Sequence, residues 1–289
     1  MKIVNVIGGL GNQMFQYAFA LSLKERYKDE EVLIDVHHFN HYKLHNGFEL
    51  SKIFKGINIA IANKKQLSKV TYYIPHYLLS RLTRRFLPKL KTELVESVEY
   101  VYNDSYFNLK GNYYFEGYWQ SHKYYLNIRS EIIKAFEFPN LNEYNEHLAS
   151  EISSSNSVGI HVRRGDYLNH KDFKGICDLV YYQSAINDLM SKSEKYRFYI
   201  FSNDIQWCIE NLQPFLNGNP VVYVTENRGS DSYWDMYLMS KCHNLIIANS
   251  SFSWWGAFLN EKAKCIYAPQ KWNNNYNINE ICCPDWIKV

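Results

Sequence analysis

Between residues 157 and 268 the chain alternates short apolar runs with longer helical patterns, and this alternation restricts its architecture more than any other feature. Strands are expected at 157–162, 196–201, 221–224, 245–248 and 265–268, with helices at 181–190, 205–212, 233–240 and 253–259. Strands separated by helix-length connections do not pair as hairpins. They pair in parallel, with the helices packed on the sheet faces. In such a sheet ligands bind beyond the carboxyl ends of the strands. Those expected ends deliver Arg163 and Asp166, Ser202 to Asp204, Thr225 to Asn227, and Asn249 to Ser251, all along one edge.

The densest of these ends is His161-Val162-Arg163-Arg164-Gly165-Asp166-Tyr167. Strand alternation sets His161 and Arg163 on one face and Val162 and Arg164 on the other. A guanidinium stays charged and offers a planar fork of donors that matches a phosphate. The plain alternative is that each arginine pairs with a surface carboxylate. Two arginines beside His161 and Asp166 at a strand end favour a phosphate clamp over that alternative. Asn249-Ser250-Ser251-Phe252-Ser253 joins an apolar strand to a helix start, where N–H groups and hydroxyls converge on an anion. A serine cap alone, worth about 1 kcal/mol, is the simpler reading; with the arginines nearby, a pyrophosphate site is preferred. Asp235 reads either as a favourable charge at a helix N-terminus or as a carboxylate accepting two hydrogen bonds from a guanine edge. Its spacing does not select between the two. There is no Asp-x-Asp, the short metal–diphosphate signature of sugar-nucleotide enzymes. Arginine and helix-terminus donors can neutralise a departing diphosphate in its place.

The N-terminal half opens with a strand at 2–7, a tight glycine turn at 8–13 and a helix at 14–27, the start of a Rossmann-like unit. The dinucleotide fingerprint needs a third glycine where Met14 stands, and no G-x-x-x-x-G-K occurs, so NAD and P-loop ATP sites are rejected here. Gly9 and Gly11 still permit close backbone approach, with Asn12 and Gln13 at the helix start; a bare turn is the simpler reading of this segment alone. A second strand at 31–36 ends in Asp35-Val36-His37-His38. His37, His38 and His41 lack the spacing of a metal site. A strand runs from 113 into a loop at 117–120, and 122–136 reads as helix. The polar stretch 140–156 marks a change of domain, taken as 1–150 and 151–289. Residues 64–90 are irregular and broken by Tyr72-Tyr73-Ile74-Pro75. Within them, 76–91 is basic and partly amphipathic, with Arg81, Arg84, Arg85, Lys89 and Lys91 among leucines. It reads either as a solvated helix face or as a surface for an anionic membrane or lipid-linked glycan.

With 289 residues, 46% of them hydrophobic, the chain has material for two cores. A net charge of +3 is too small to argue for a nucleic-acid surface. No apolar run is long enough to span a membrane, and the N-terminus reads as a strand rather than a secretory leader. The six cysteines have neither zinc nor redox spacing and read as reduced thiols. The 25 tyrosines suit sugar binding and ordinary cores alike.

Five blocks together, residues 8–18, 117–121, 161–167, 201–204 and 249–257, resemble the bacterial α-1,2-fucosyltransferases of glycosyltransferase family 11, in order and over nearly the whole chain. The resemblance implies an α/β, GT-B-like fold with two Rossmann-like domains facing a central cleft, the N-terminal one on the acceptor side and the C-terminal one binding GDP-fucose. It implies inverting, metal-independent transfer of L-fucose from GDP-β-L-fucose to the 2-hydroxyl of a terminal galactose, without a cofactor. Arg163 would hold the β-phosphate, with Arg164 beside it, and His161 would sit by the ribose. Ser250, Ser251 and Phe252 would lie at the pyrophosphate, with Ser202 and Asn203 nearby, and Asp235 at guanine. Gly11 and Asn12 would face the cleft. Many relatives carry arginine where Gly9 stands, so that contact is missing here. Asp166, Asp35 and His37 are rival candidates for the general base, and a loose transition state needs little help from any of them. The expected location is cytoplasmic or peripheral to the inner membrane. A non-catalytic glycan- or nucleotide-binding protein, or a fucosyltransferase of other linkage, are the competing readings.

Overall fold

The strand β1 (Lys2–Asn5) is buried at every position and forms the centre of a parallel sheet. It lies between β2 (Val32–Asp35) and β4 (Tyr113–Glu116), and β3 (Glu93–Val95) extends the sheet beyond β4. All three pairings are parallel. This computed structural model describes residues 1–41, 45–74, 76–192, 195–276 and 280–289. The expected break at Pro75 and the side chain of His41 lie outside the described residues.

The chain divides into two units, Met1–Pro139 and Asn140–Val289. In the first, α1 (Leu10–Arg26) connects β1 to β2 and starts four residues earlier than its apolar pattern indicates. Gly9 is its N-cap in an extended conformation, so Gly11, Asn12 and Gln13 belong to the first helical turn rather than to a loop. Short helices follow: α2 (Leu50–Ile53), α3 (Lys64–Leu67), α4 (Tyr77–Thr83) and α5 (Arg129–Ala135). The helix expected over 122–136 is instead two 3-10 turns, His122–Tyr124 and Leu126–Ile128, before α5. The cause is local. The Tyr125 hydroxyl donates to the Trp119 carbonyl, and both Tyr124 and Tyr125 are buried. Their neighbour Trp119 stacks on Phe19 of α1 at 4.1 Å, so aromatic packing fixes this stretch.

The second unit carries six parallel strands in the order β10-β9-β8-β5-β6-β7. They are β5 (Ser157–Val162), β6 (Arg197–Ser202), β7 (Val221–Val224), β8 (Asn244–Ile246), β9 (Cys265–Ala268) and β10 (Ile287–Lys288). The connecting helices are α7 (Leu179–Met190), α8 (Ile205–Asn211), α9 (Tyr233–Met239) and α10 (Ser251–Phe258). Val158, Ile160 and Val162 pack with Tyr182, Ile186 and Leu189 in one apolar cluster. Strands buried on both faces need such continuous apolar runs. Register places Val162 beside Ser202 and Ile160 beside Ile246, so the loops leaving β5, β6 and β8 emerge together.

The contact boundary at 139/140 precedes the 150/151 division read from the sequence because the intervening polar stretch is a helix, α6 (Glu143–Ser154). Asn142 caps it, accepting from Asn145 N–H. Glu151 pairs with Arg197 of β6 at 2.6 Å and accepts from the Tyr199 hydroxyl at 3.0 Å, which ties α6 to the second sheet. Among the described residues no helix is long and apolar enough to cross a membrane.

Gly56 abuts α5 so closely that a Cβ there would lie 2.4 Å from the Lys134 carbonyl oxygen and 2.7 Å from Ala135 Cα. These are backbone atoms and cannot swing aside. Gly56→Ala is therefore expected to cost about 1–3 kcal/mol, read as a lowered urea midpoint at unchanged slope. An unchanged midpoint would show that the loop relaxes freely.

Candidate functional site

In the second unit the chain leaves β5 through a tight turn, Gly165–Leu168. Gly165 has φ +33°, and a Cβ on it would meet Asn203 Nδ2 at 2.5 Å. Asn203 Oδ1 accepts the Arg164 backbone N–H at 3.0 Å. The loop after β6 thus braces the loop after β5, and only glycine fits between them.

The two arginines part here. Arg164 donates through Nε to Asp204 Oδ2 at 3.1 Å, and its guanidinium lies 4.2 Å from the Trp207 ring centre. Asp204 also caps α8 by accepting from Trp207 N–H at 3.2 Å, while Ser202 Oγ accepts from Asp204 N–H at 2.9 Å. Ser202 and Asp204 are therefore engaged in their own turn, and Asn203 and Asp204 also hold the loop after β5. Arg163 pairs with Asp166 at 2.8 Å, with side chains 35% and 61% exposed, and lies 5.5 Å from the Tyr167 ring centre. An ion pair this exposed contributes about 0–1 kcal/mol, so an anionic ligand can displace Asp166 from Arg163 at little cost.

Tyr167, which the sequence places in the block without a role, links two strand ends. Its hydroxyl bonds to Ser250, and burial pushes its pKa up to about 12. Ser250 caps α10, accepting from Phe252 N–H at 3.3 Å. No acid stands in the first turn of α10, so its N–H dipoles are uncompensated by charge there. Asn249 is turned inward, donating to the Trp272 carbonyl at 3.2 Å. The Phe252 ring lies 5.9 Å from His161. His161 is buried, and burial together with the Arg163 charge depresses its pKa to about 3. It is a neutral imidazole at ordinary pH, and its Nδ1 has no hydrogen-bond partner among the described residues. Arg163, Tyr167, His161, Ser250 and Phe252 thus meet at one sheet edge; Ser251 sits in the same helix turn.

Asp235, in the first turn of α9, accepts from Asn227 Nδ2 at 2.9 Å. Asn227 exchanges hydrogen bonds with the buried Asn145 of α6 at 2.9 and 3.0 Å. Burial raises the Asp235 pKa from its ordinary 3.8 to about 7, against the opposing Asn227 bond. Sequence reading placed Asn227 at a strand end but missed Asn145 and the pairing between them, because 82 residues separate the two.

In the first unit, Asp35 is 1% exposed. Its Oδ1 accepts from the His37 backbone N–H at 3.0 Å and also contacts His37 Nδ1. Its Oδ2 accepts from the Tyr114 hydroxyl at 2.8 Å. His37 Nε2 lies 3.2 Å from the Ile74 carbonyl oxygen. Both carboxylate oxygens and both ring nitrogens therefore face internal partners, and His37 must rotate before it can take a proton from a substrate. Asn12 Oδ1 accepts from Gln120 Nε2 at 2.9 Å, joining the glycine-rich block to the 117–121 block. Gly11 is buried within α1. Among the described residues no group of three or more His, Cys, Asp or Glu side chains is arranged to hold a metal ion.

The family model of glycosyl transferase family 11 matches residues 1–289. The chain is 32% identical over 299 residues to the alpha-1,2-colitosyltransferase of Escherichia coli, covering 99% of this chain and 98% of that one. It is 27% identical over 272 residues to galactoside alpha-(1,2)-fucosyltransferase 2 of Mus musculus, covering 89% and 67%. Among solved structures, NodZ alpha-1,6-fucosyltransferase co-crystallized with GDP superposes with a TM-score of 0.54, covering 92% of this chain and 93% of that one at 14% identity. At that identity the likeness bears on the fold, which is the α/β, GT-B-like fold implied by the motifs.

A carboxyl with a raised folded-state pKa holds its proton in the folded chain where the unfolded chain has lost it. Asp235 therefore lowers stability progressively from pH 3.8 toward 7 and most strongly above 7. Asp235→Asn, which keeps the bond from Asn227, is expected to stabilise the unliganded protein by about 1–3 kcal/mol at pH 8 and by little at pH 4. Urea unfolding at both pH values checks this; equal effects at both would show that Asp235 titrates normally.

Proposed function

Because the chain belongs to glycosyltransferase family 11, we propose that it transfers L-fucose from GDP-β-L-fucose to the 2-hydroxyl of a terminal galactose in a surface glycan, with inversion and without a metal ion. The observation that carries this reading is the meeting of Arg163, Tyr167, His161 and the α10 start at one carboxyl edge of the second sheet. That set supplies a releasable guanidinium, a hydroxyl, a neutral imidazole with an unpartnered nitrogen, and a helix N-terminus with no acid in its first turn. A sugar diphosphate needs these donors.

In the reaction Arg163 turns from Asp166 to the β-phosphate and, with the Ser250–Ser251 helix start, stabilises charge as the fucose C1–O bond breaks. Arg164 serves by holding the loop against Asp204 and Trp207, so that the backbone at Arg163 is fixed while its side chain turns. His161 donates to or accepts from a ribose hydroxyl, and Phe252 closes the apolar side. Asp235 accepts from guanine N1–H and the 2-amino group, which requires its ionised form. The acceptor hydroxyl attacks C1 opposite the departing diphosphate. Its proton leaves to Asp166 once Arg163 has turned away, or to solvent; a loose oxocarbenium-like transition state tolerates either.

The colitosyltransferase likeness over the whole chain supports a second donor reading. Colitose is fucose lacking the 3-hydroxyl. A site that hydrogen-bonds that hydroxyl rejects the deoxy sugar by about 10⁴-fold, whereas an apolar site does not discriminate so far. Incubation with GDP-fucose or GDP-colitose and a panel of β-galactosides, reading GDP release and product linkage, decides between them. The expected outcome is GDP release with an α-1,2-linked fucose product. Release from GDP-colitose alone would transfer the assignment, and release from neither would remove the enzymatic reading.

Arg163→Lys is expected to lower kcat/KM about 100-fold, because a point charge does not reproduce the fork; near-normal kinetics would remove the clamp. Turnover is expected to persist in excess EDTA, and strict dependence on added magnesium or manganese would overturn the metal-independent reaction.

A further inference from the structure

Helix α4 has its polarity reversed. In a water-facing helix the apolar stripe packs inward. Here the inward positions are polar: Ser80 is 4% exposed, and Arg84, one turn on, pairs with Glu116 at the end of β4. The outward positions are apolar. Leu78, Leu79, Leu82, Phe86 and Leu87 are 59%, 51%, 62%, 82% and 39% exposed. Past Thr83 the chain continues in tight turns, with Arg84 N–H bonded to the Ser80 carbonyl, Arg85 N–H to Leu82, and Phe86 and Leu87 N–H to Thr83. Leu78 and Leu82 lie one turn apart on α4, and Phe86 and Leu87 add exposed apolar surface in the turns that follow. Exposed Arg81, Arg85, Lys89 and Lys91 accompany it, and no Asp or Glu occurs from 76 to 92.

A contiguous apolar surface of this kind needs an occupant. A second copy of the chain fits poorly, because a two-fold contact would set these four cations against themselves. An anionic bilayer satisfies both halves of the surface, taking the leucines and Phe86 into the acyl boundary and the cations at its headgroups. We propose that residues 77–91 dock this protein onto the surface of an anionic phospholipid bilayer. This resolves the two sequence readings of the segment: Arg84 is structural, and the exposed face is apolar rather than merely solvated.

The test is flotation of the full chain with vesicles of phosphatidylglycerol in phosphatidylcholine, against vesicles of phosphatidylcholine alone. The protein is expected to float with the anionic vesicles and to remain below with the neutral ones at physiological salt. Combining Leu82→Glu with Phe86→Glu is expected to weaken anionic-vesicle binding by about tenfold or more, with unchanged far-ultraviolet circular dichroism. Combining Arg81→Gln with Arg85→Gln is expected to weaken it and to flatten its salt dependence. Absence of flotation with anionic vesicles, or binding that survives both pairs of substitutions, would overturn the proposal. So would self-association without lipid that the Leu82 and Phe86 substitutions abolish, which would give the face to a second copy. No donor sugar is present in the experiment, so its outcome is independent of the proposed transfer activity.

Discussion

A Cβ at residue 165 would stand 2.5 Å from the Asn203 amide, and the arrangement of the second unit's site follows from that contact. The loops leaving β5 and β6 close on each other until the Asn203 side chain reaches the Arg164 backbone. With the backbone pinned there, successive side chains must diverge. Arg164 falls against Trp207 and Asp204, and Arg163 falls toward Tyr167. One arginine becomes part of the wall and the other stays available. The same pinning brings Tyr167 within reach of Ser250, so the turn after β5 and the start of α10 are set relative to each other by a short hydrogen-bonded path rather than by packing alone.

Two titratable groups at this edge hold charge states that burial dictates. His161 is kept neutral to about pH 3, and Asp235 keeps its proton to about pH 7. Each costs the folded chain something relative to an apolar residue of similar size. Buried groups with displaced titration are the expected mark of a binding site. Their opposite demands also make the edge selective: it offers an uncharged imidazole beside Arg163, and a carboxylate whose charge is cheapest when two donors meet it.

The second sheet was legible because parallel strands buried on both faces read as largely apolar runs, as β5, β6, β7 and β9 do. β10 escaped notice because it is two exposed residues, held by pairing rather than by hydrophobicity. The helix α6 escaped because its inward residues, Leu148, Ala149 and Ile152, are few against a polar background. The start of α1 was misplaced because glycines signal turns, and a buried helix tolerates Gly11 when packing offsets the backbone entropy. Within the site, Arg163 and Arg164 part as alternation implies, but both lie beyond the end of β5 at Val162, where the turn and not the strand sets their directions. Their partners were not readable, because Asp204 and Trp207 come from another strand's loop. The pairing of Asn227 with Asn145 was hidden for the same reason.

Glu116 ends β4, and the next residues run through Gly117 to Gln120, whose amide holds Asn12 at the head of α1. Arg84 fastens α4 to that same Glu116. Whatever settles on the outer surface of α4 therefore bears on a run of residues that leads from Glu116 to Asn12 at the head of α1.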